Sequence, residues 1–345
     1  MKIAIIGDTH FGVRGDSQVM LNYQKKFFDN IFFPKLYELG IDHIVHLGDL
    51  VDRRTTINFN TVKHLQTDFL DNLSCRGLTM DIICGNHDTY YKSTNEVNAF
   101  NSILGAYQGY VKTYIDPTET KYGLYVPWIN SENHDKTLEI INKTDKALCF
   151  GHLEINGFEM LRGVVCDHGI TADTFGHFQS VFSGHFHHKS TRGNIHYLGA
   201  PYEMTWSDFE TPKGFHTFDY DTRKLEFIPN PNKLFVRLIY RGSEMEADQY
   251  EVQDAYCKVV VKDKGDPYQF DKFIQKLEQQ NPADLKIVEP LTQDANDVII
   301  SEAETTEAIL DKHIDMMDIE QRQKYELNKL MNRLYRQALE IERNA

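Results

Sequence analysis

The chain has 345 residues and a formal net charge of −14, with 41% hydrophobic and 26% charged residues. This composition is typical of a globular protein with a buried core, in one large domain or two to three smaller units. The charge excludes a generally basic nucleic-acid binder, but it leaves room for a DNA enzyme that uses metal ions and a few arginines.

The cysteine pattern and the N-terminus predict the compartment. Five cysteines, an odd number without CxxC spacing, argue against a disulfide framework and against a thiolate zinc site. The N-terminal MKIAIIGDTH has a short apolar run, and no stretch approaches the roughly 20 apolar residues of a membrane span. We therefore expect a cytoplasmic protein.

The first 230 residues alternate short apolar runs with longer amphipathic stretches. The runs KIAII, HIVHL, MDIIC, KALCF and SVFS predict strands buried on both faces. The stretches VMLNYQKKFFDNIFFPKLYELG and TVKHLQTDFLDNLSCRG have helical periodicity, and each is closed by a glycine. Further strands are expected in YGLYVP, in IHYL and in a hairpin over 215–228. The order predicts an α/β sandwich with sheets inside and helices outside.

The remaining chain predicts two smaller units beyond a larger domain at 1–230. PNPNK is a linker, and LFVRLIY, YCKVVVK and FDKFIQKLEQQ predict a small α/β unit at 234–290. Residues 291–345 are expected to form a linker and a helical tail, because 289–320 holds ten acidic residues and one lysine. One apolar helical stripe is expected in this tail, formed by Leu327, Leu330, Met331, Leu334, Ala338 and Ile341.

Five predicted strands end in the same pattern of an apolar run, a glycine and polar side chains. They read IIGDTH, HLGDL, ICGNHD, CFGH and FSGHFH. Ligands of open α/β sheets bind beyond the carboxyl ends of strands, so these ends predict one shared crevice. The side chains delivered there are Asp8, His10, Asp49, Asn86, His87, Asp88, His152, His185 and His187.

This mixture of carboxylate, amide and imidazole donors indicates divalent metal ions. Manganese, iron and zinc fit such a set better than calcium does. Two ions bridged by Asp49 would use all of these groups, whereas one ion would leave most of them unused. Each fragment alone has an ordinary explanation, such as a turn or a buried histidine. The occurrence of all five in this order, each after a predicted strand, is improbable by chance. An extended GHFH segment would place His185 and His187 on one face, with His188 pointing away as an outer or DNA-facing residue.

The ordered motifs GD-x-H, GD-x-x-D, GNHD, GH and GHxH resemble those of the calcineurin-like metallophosphoesterase superfamily over residues 1 to about 225. The GDTH start, GHLEINGF, YLGAPYE, the small cap and the helical tail further resemble the nuclease subunit of the SbcC–SbcD DNA-end-processing complex and its short phage relatives. The resemblance implies a sandwich of two mixed sheets flanked by helices, with a small α/β cap at 234–290 and a C-terminal helical tail.

The resemblance also implies roles for the site residues. Asp8, His10 and His187 would hold one metal ion, and Asn86, His152 and His185 the other, with Asp49 as the bridge. The ions would be Mn²⁺, with Mg²⁺ or Fe²⁺ as alternatives. His87 would donate a proton to the leaving oxygen and Asp88 would orient its ring. Many cellular members carry a histidine where this chain has Asp52, which leaves the balance of exonuclease and endonuclease activity open.

The function implied is a DNA exonuclease and endonuclease for recombination, repair and replication. Its partners would be DNA and an SbcC-like coiled-coil ATPase bound by the tail helix, with a homodimer inside a two-plus-two complex. Basic residues near the motifs are candidates for phosphate contacts, namely Arg14, Arg53, Arg54, Lys92, Lys189 and Arg192. Solvated surface charge is the alternative for them, and packing on its own domain is the alternative for the tail stripe. A metallophosphatase for small phosphoesters or phosphoproteins and a non-catalytic scaffold are the competing functions.

Overall fold

A computed structural model describes residues 1–161, 163–242 and 245–289, together with Ile314, Lys324, Leu327, Leu330 and Met331. The chain divides into two compact units, Met1–Leu291 and Thr292–Ala345. None of the helices in the described part has the length and apolar character required to span a membrane.

The described residues contain seventeen strands, numbered here along the chain. They are β1 Lys2–Ile6, β2 His43–His46, β3 Thr79–Ile83, β4 Val111–Tyr114, β5 Thr118–Glu119, β6 Leu124–Val126, β7 Leu148–Gly151, β8 Glu159–Leu161, β9 Val164–Val165, β10 Ser180–Ser183, β11 Ser190–Arg192, β12 Ile195–Tyr197, β13 Gly214–Asp219, β14 Lys224–Pro229, β15 Phe235–Arg241, β16 Tyr256–Asp263 and β17 Asp284–Val288.

Two six-stranded mixed sheets form the larger part of the first unit. One has the order β14–β13–β1–β2–β3–β4, and the other has the order β11–β12–β10–β7–β6–β5. The strands β1 to β4 run parallel, as do β6, β7, β10 and β12. The antiparallel hairpin β13–β14 extends the first sheet next to β1. Parallel order places the carboxyl ends of the motif-bearing strands of each sheet at one edge.

Helices cover the outer faces. The two predicted helices are each interrupted by a π-helical turn and are followed by left-handed glycines, Gly40 and Gly77. Their segments are Gln18–Phe27, Phe28–Phe32 (π) and Phe33–Leu39, then Phe59–His64, Leu65–Leu70 (π) and Asp71–Cys75. The other α-helical segments are Val13–Asp16, Phe100–Ile103, His134–Lys143 and Pro267–Gln279, and short 3-10 turns occur at Gly105–Tyr107, Ala172–Phe175, Trp206–Asp208 and Ala247–Gln249.

The apolar core lies in layers between these elements. Ile5, Val45 and Phe150 belong to the cluster that fills the space between the two large sheets. A second cluster joins the first sheet to its helices, where Phe28 and Phe69 of the two π turns meet with ring centroids 4.8 Å apart. The predicted sandwich of two mixed sheets flanked by helices is confirmed.

A small third sheet follows the linker. It has the parallel order β15–β16–β17, and the helix Pro267–Gln279 contributes Phe270, Phe273 and Leu277 to its separate apolar cluster. The strand β17 was not predicted. In the tail, Leu327, Leu330 and Met331 are helical, whereas Leu334, Ala338, Ile341 and the acidic stretch 290–313 lie outside the described residues.

The third sheet is joined to the sandwich by a buried acid and a stacked arginine. The carboxylate of Glu203, which is fully buried, accepts hydrogen bonds from the backbone N–H of Leu234 (2.7 Å) and of Phe235 (3.1 Å). The Arg14 guanidinium lies 4.0 Å from the ring centroid of Tyr256. These contacts fix the linker and give the YLGAPYE segment, which ends in Glu203, a structural role.

Candidate metal centre

The predicted donors meet where the carboxyl ends of the two large sheets approach each other. Glycines allow the donors to come together because a side chain at these positions has no room. A Cβ on Gly85 would lie 2.2 Å from Oδ1 of Asp49, and a Cβ on Gly48 would lie 2.7 Å from Nδ1 of His152. The glycine in each of these two motifs is therefore required sterically by the site itself.

Four of the donor residues have left-handed backbone conformations. Their φ angles are 52° for Asp8, 40° for His10, 54° for Asp49 and 83° for His185. Such conformations cost of order 1–3 kcal/mol each in non-glycine residues and cluster at functional sites. The chain bends after Ser183, so GHFH is not an extended segment, yet His185 and His187 both reach the site.

Asp8, His10 and His187 form the first donor group, with ligand atoms within 4.8 Å of one another. Nε2 of His10 lies 3.1 Å from Nε2 of His187. Oδ1 of Asp8 accepts a hydrogen bond from the backbone N–H of His185 at 2.9 Å, and its buried Oδ2 has no hydrogen-bond partner. An unpaired carboxylate oxygen beside two facing ring nitrogens is the arrangement that a cation would satisfy.

Asn86, His152 and His185 form the second group around one amide oxygen. Oδ1 of Asn86 lies 2.8 Å from Nε2 of His152 and 3.0 Å from Nδ1 of His185. The other ring nitrogen of His152 donates to the carbonyl of Leu47 at 2.8 Å, which directs Nε2 into the site. Trp128 packs beside His185, with ring centroids 5.1 Å apart, and closes this side.

Asp49 lies between the two groups. Its Oδ2 is 3.6 Å from Nε2 of His10 and 3.3 Å from Nε2 of His152. Its Oδ1 accepts a hydrogen bond from the backbone N–H of His87 at 2.7 Å. The structure thus brings all seven predicted metal ligands together, with Asp49 in the central position.

The protonation of the donors follows from burial and from the charges around them. Burial raises the pKa of Asp8 to about 6. Burial opposes the charging of His10, but Asp52 and Asp49 outweigh it and raise its pKa to about 9. His152 behaves likewise, and Asp49 raises its pKa to about 9. Burial and the nearby His10 hold the pKa of His187 well below its ordinary value. A cation would therefore have to displace the protons of His10 and His152, after which the oxygen and imidazole donors fit borderline divalent cations.

His87 is held at both ends, its backbone by the Asp49 carboxylate and its ring by a backbone carbonyl. Its N–H binds Asp49, as above, and its ring Nδ1 donates a hydrogen bond to the backbone carbonyl of Asp52. Its ring lies edge-on to that of His10, with centroids 4.8 Å apart. Burial lowers the pKa of His87.

The predicted orientation of the His87 ring by Asp88 is wrong. The Asp88 carboxylate is fully buried and accepts from four backbone N–H groups. Those of Gly85, Asp49 and Leu50 are each 2.9 Å away, and that of Val51 is 3.3 Å away. The short carboxylate therefore turns into the loops that follow β2 and β3, where those N–H groups need an acceptor.

His188 is buried, so its prediction as an outer, DNA-facing residue is also wrong. It lies beside an ion pair between Lys213 and Asp208, whose side chains are 2.6 Å apart. Nζ of Lys213 also donates to the carbonyl of His187 at 2.8 Å. The Lys213–Asp208 pair therefore contacts the GHFHH segment at His187 and His188. The spacing of residues within that segment does not indicate this contact.

Sequence reasoning missed the roles of two carboxylates that contact metal-ligand candidates. Oδ1 of Asp52 lies 3.4 Å from Nδ1 of His10, and Oε1 of Glu154 lies 3.7 Å from Nε2 of His185. The GD-x-x-D and GHLE motifs already contained both residues. In both motifs an acidic residue shortly follows a predicted ligand in the sequence, and this is the signal that could have indicated its role. The spacing does not show which histidine the acid contacts.

The six basic candidates have different surroundings. Arg14 stacks on Tyr256, Arg53 lies 3.3 Å from the Asp16 carboxylate, and Arg54 donates to Oγ1 of Thr89 at 3.2 Å. Lys189 lies 3.8 Å from the ring centroid of Phe227. Lys92 and Arg192 are exposed.

Two mixed sheets packed face to face, with histidine, aspartate and asparagine donors gathered at their strand ends, define a metal-dependent hydrolase. The model of the calcineurin-like phosphoesterase family matches residues 1–189, more than half of the chain. The chain belongs to the calcineurin-like phosphoesterase family, a hydrolase family that uses divalent metal ions, and the predicted resemblance to it is confirmed.

The chain is also similar to individual proteins. "Exonuclease subunit 1" of Enterobacteria phage T4 is 30% identical over 350 residues, which cover 98% of this chain and 99% of that protein. The solved structure of an archaeal phosphodiesterase covers 67% of this chain and 100% of its own, at 14% identity and a TM-score of 0.34, which is too weak a likeness to support an argument.

Proposed function

We propose that the chain is a metal-dependent DNA nuclease subunit, acting on duplex ends and on single strands during DNA recombination, repair and replication. The observation that carries this proposal is the end-to-end similarity to the phage exonuclease subunit. This similarity continues past residue 189 through the small third sheet and the tail. An enzyme that hydrolyses a small phosphoester would not require these two parts. The cytoplasm, or the host cytoplasm for a phage protein, is the corresponding compartment.

Two divalent ions are the proposed cofactors, with Mn²⁺ favoured over Mg²⁺ or Fe²⁺. Asp8, His10 and His187 would hold one ion, and the group around Asn86 the other, with Asp49 shared. The clustering of these donors supports this assignment. When bound, the ions would supply Lewis-acid polarisation of the phosphodiester.

His87 is the proposed proton donor to the leaving oxygen. Because its Nδ1 proton is committed to the Asp52 carbonyl, Nε2 is the atom left to exchange a proton with substrate. The lowered pKa caused by burial makes the protonated ring a stronger acid. Asp88 has a supporting role here, because it fixes the two loops that place Asp49 and His87.

The remaining parts are proposed to serve DNA and a partner. Residues 1–230 would form the nuclease domain, 234–290 a capping domain that contacts DNA, and 291–345 the linker and helix for an SbcC-like ATPase, in a two-plus-two complex. The stripe of Leu327, Leu330, Met331, Leu334 and Ile341 would form the contact. Truncation at about residue 300 should abolish binding of the ATPase in a pull-down and leave the metal centre intact. Unchanged binding would contradict this part.

The basic side chains around the centre are proposed to contact phosphates, with one exception. Arg54, Lys92, Lys189 and Arg192 lie on segments that follow the metal-ligand motifs, and Arg53 pairs with Asp16 at a half-exposed position. Arg14 is assigned instead to the joint with the third sheet, since its guanidinium stacks on Tyr256.

The test is a nuclease assay with Mn²⁺ on linear duplex and single-stranded DNA, with and without the ATPase and ATP. The His87→Ala variant should lose cleavage, whereas His134→Ala, which removes an exposed histidine, should retain it. Brisk hydrolysis of p-nitrophenyl phosphate with all DNA left intact would favour a metallophosphatase instead. Full DNA cleavage by His87→Ala would show that the proton donor is wrongly assigned.

A further inference from the structure

Two adjacent tyrosines are exposed on the loop that follows the GNHD motif. The side chains of Tyr90 and Tyr91 have 45% and 52% of their surface in solvent. Their rings meet edge to face, with centroids 4.7 Å apart and an interplanar angle of 76°. A paired aromatic surface of this kind offers exposed ring area on which a flat ligand can stack.

The loop that carries them is fixed along its length. The backbone N–H of Tyr90 donates to the carbonyl of Val97, and that of Ala99 donates to the carbonyl of Asp88, each at 2.8 Å. At the far side the buried Asn95 side chain donates to the carbonyls of Ile115 (3.1 Å) and Trp128 (2.9 Å). The rings are therefore presented by an ordered segment, so a ligand that stacks on them need not order the loop first.

The same loop begins at the metal centre. Tyr90 is three residues beyond His87, so their Cα atoms are at most about 10 Å apart. Oγ1 of Thr89, which precedes Tyr90, donates to the carbonyl of Asn86 at 3.1 Å. A strand whose phosphate lies beside His87 would bring a neighbouring base to these rings.

Positive charge accompanies the two rings. The Arg54 guanidinium donates to Thr89 at 3.2 Å, which holds it against the base of the loop, and Lys92 follows Tyr91 directly. Aromatic faces combined with cations along a groove are the means by which proteins bind single-stranded nucleic acid without sequence preference. A neutral apolar partner would not require these charges.

We propose that Tyr90 and Tyr91 form a stacking platform for an unpaired nucleobase next to the phosphodiester at the metal centre. This inference rests on the proposed nuclease function and specifies its substrate. Bases inside a duplex are already stacked on their neighbours, so the platform favours single strands and frayed ends over intact duplex. Stacking also predicts tolerance of base identity, because every base has a π face.

The test compares the Tyr90→Ala/Tyr91→Ala protein with the parent on a single-stranded oligonucleotide. The KM should rise by about 5- to 150-fold, the range expected for the loss of one stacked base. The conservative double substitution Tyr90→Phe/Tyr91→Phe should keep the KM of the parent, because it retains both rings. Tyr37→Ala removes a tyrosine that is 87% exposed elsewhere and should leave the KM unchanged.

An oligonucleotide with abasic sites near the scissile phosphate isolates the stacking. If the platform acts on bases, the alanine substitutions and the missing bases should not be additive, since each removes the same contact. Additive losses, or an unchanged KM of the alanine protein on intact single strands, would overturn the platform.

Equilibrium binding separates this inference from the proposed nuclease function. Fluorescence anisotropy of a labelled single strand, measured on the His87→Ala background, should show weaker binding when both tyrosines are replaced by alanine. If that difference is present while the parent cleaves no DNA, the nuclease proposal fails and the platform stands. If cleavage is present and binding does not depend on the tyrosines, only the platform fails.

Discussion

Asp88 accepts a hydrogen bond from the backbone N–H of Asp49 at 2.9 Å, and this contact ties the loop after β3 to the loop after β2. The same carboxylate binds the N–H groups of Gly85, Leu50 and Val51. One buried acid thereby sets the spacing between the central donor Asp49 and the adjacent His87. Because its hydrogen bonds go to backbone groups, we expect any effect of Asp88 on activity to pass through the backbone.

The first prediction concerns this carboxylate. Asp88→Ala should lower the free energy of unfolding by at least about 2 kcal/mol, because it leaves four buried N–H groups without an acceptor. Urea denaturation would measure the loss, and Asp135→Asn at an exposed position is the control. Activity should fall together with stability. A large loss of activity at full stability would indicate a direct contact with the substrate or with His87.

The second prediction concerns pH and metal binding. In the metal-free protein, His10 and His152 have pKa values raised to about 9, so their stabilising contribution is complete below about pH 6.5 and is lost as the pH rises towards 9. A cation must displace these protons, so the increase in Tm on adding Mn²⁺ should grow between about pH 6.5 and 9. Calorimetry in buffers of different ionisation enthalpy should detect the released protons. A Tm increment that shrinks over this range would contradict the assignment.

The third prediction concerns Asp52, which stands where many family members have a histidine. Asp52→Asn should weaken Mn²⁺ binding by about 10- to 100-fold, because it removes the carboxylate beside Nδ1 of His10. The hydrogen bond to His87 should survive, since it uses the backbone carbonyl. Saturating Mn²⁺ should therefore restore most of kcat. A low kcat at saturation, with normal Mn²⁺ affinity, would place Asp52 in the chemical step instead.

The fourth prediction concerns the joint with the third sheet. Glu203→Ala should speed hydrogen exchange at the amides of Leu234 and Phe235, because each loses its buried acceptor, at a cost of about 1–3 kcal/mol. Glu226→Ala on the hairpin is the control, as its carboxylate pairs only locally with Lys224 among the described contacts. Unchanged protection of both amides would show that the linker is held by other contacts.

The local sequence pattern was sufficient to predict the strand ends that form the site. Each of β1, β2, β3, β7 and β10 has a buried apolar run with a glycine at or just after its end. Only glycine fits at two of these ends, because a Cβ on Gly48 would meet His152 of the other sheet and a Cβ on Gly85 would meet Asp49 of the neighbouring loop. The seven candidate metal ligands could therefore be named from the motifs alone.

Side-chain direction inside turns was not predictable in the same way. Asp88 was assigned to its neighbour His87, but four N–H groups of two loops determine where it points. His188 was placed outside, yet Lys213 and Asp208, far along the chain, bury it. In both cases the contact that determines the side-chain direction is with residues distant in sequence. The spacing of neighbouring residues therefore could not predict it.

The left-handed conformations of Asp8, His10, Asp49 and His185 imply a trade-off between folding and function. Glycine adopts such angles without penalty, so His10→Gly would relax the backbone while it removes a donor atom. Alanine at the same position would lose the donor and keep the strain. Relief of strain alone would therefore favour glycine at these positions. The present side chains are favoured by the activity and, at Asp8 and Asp49, also by the hydrogen bonds that they accept from the backbone N–H groups of His185 and His87.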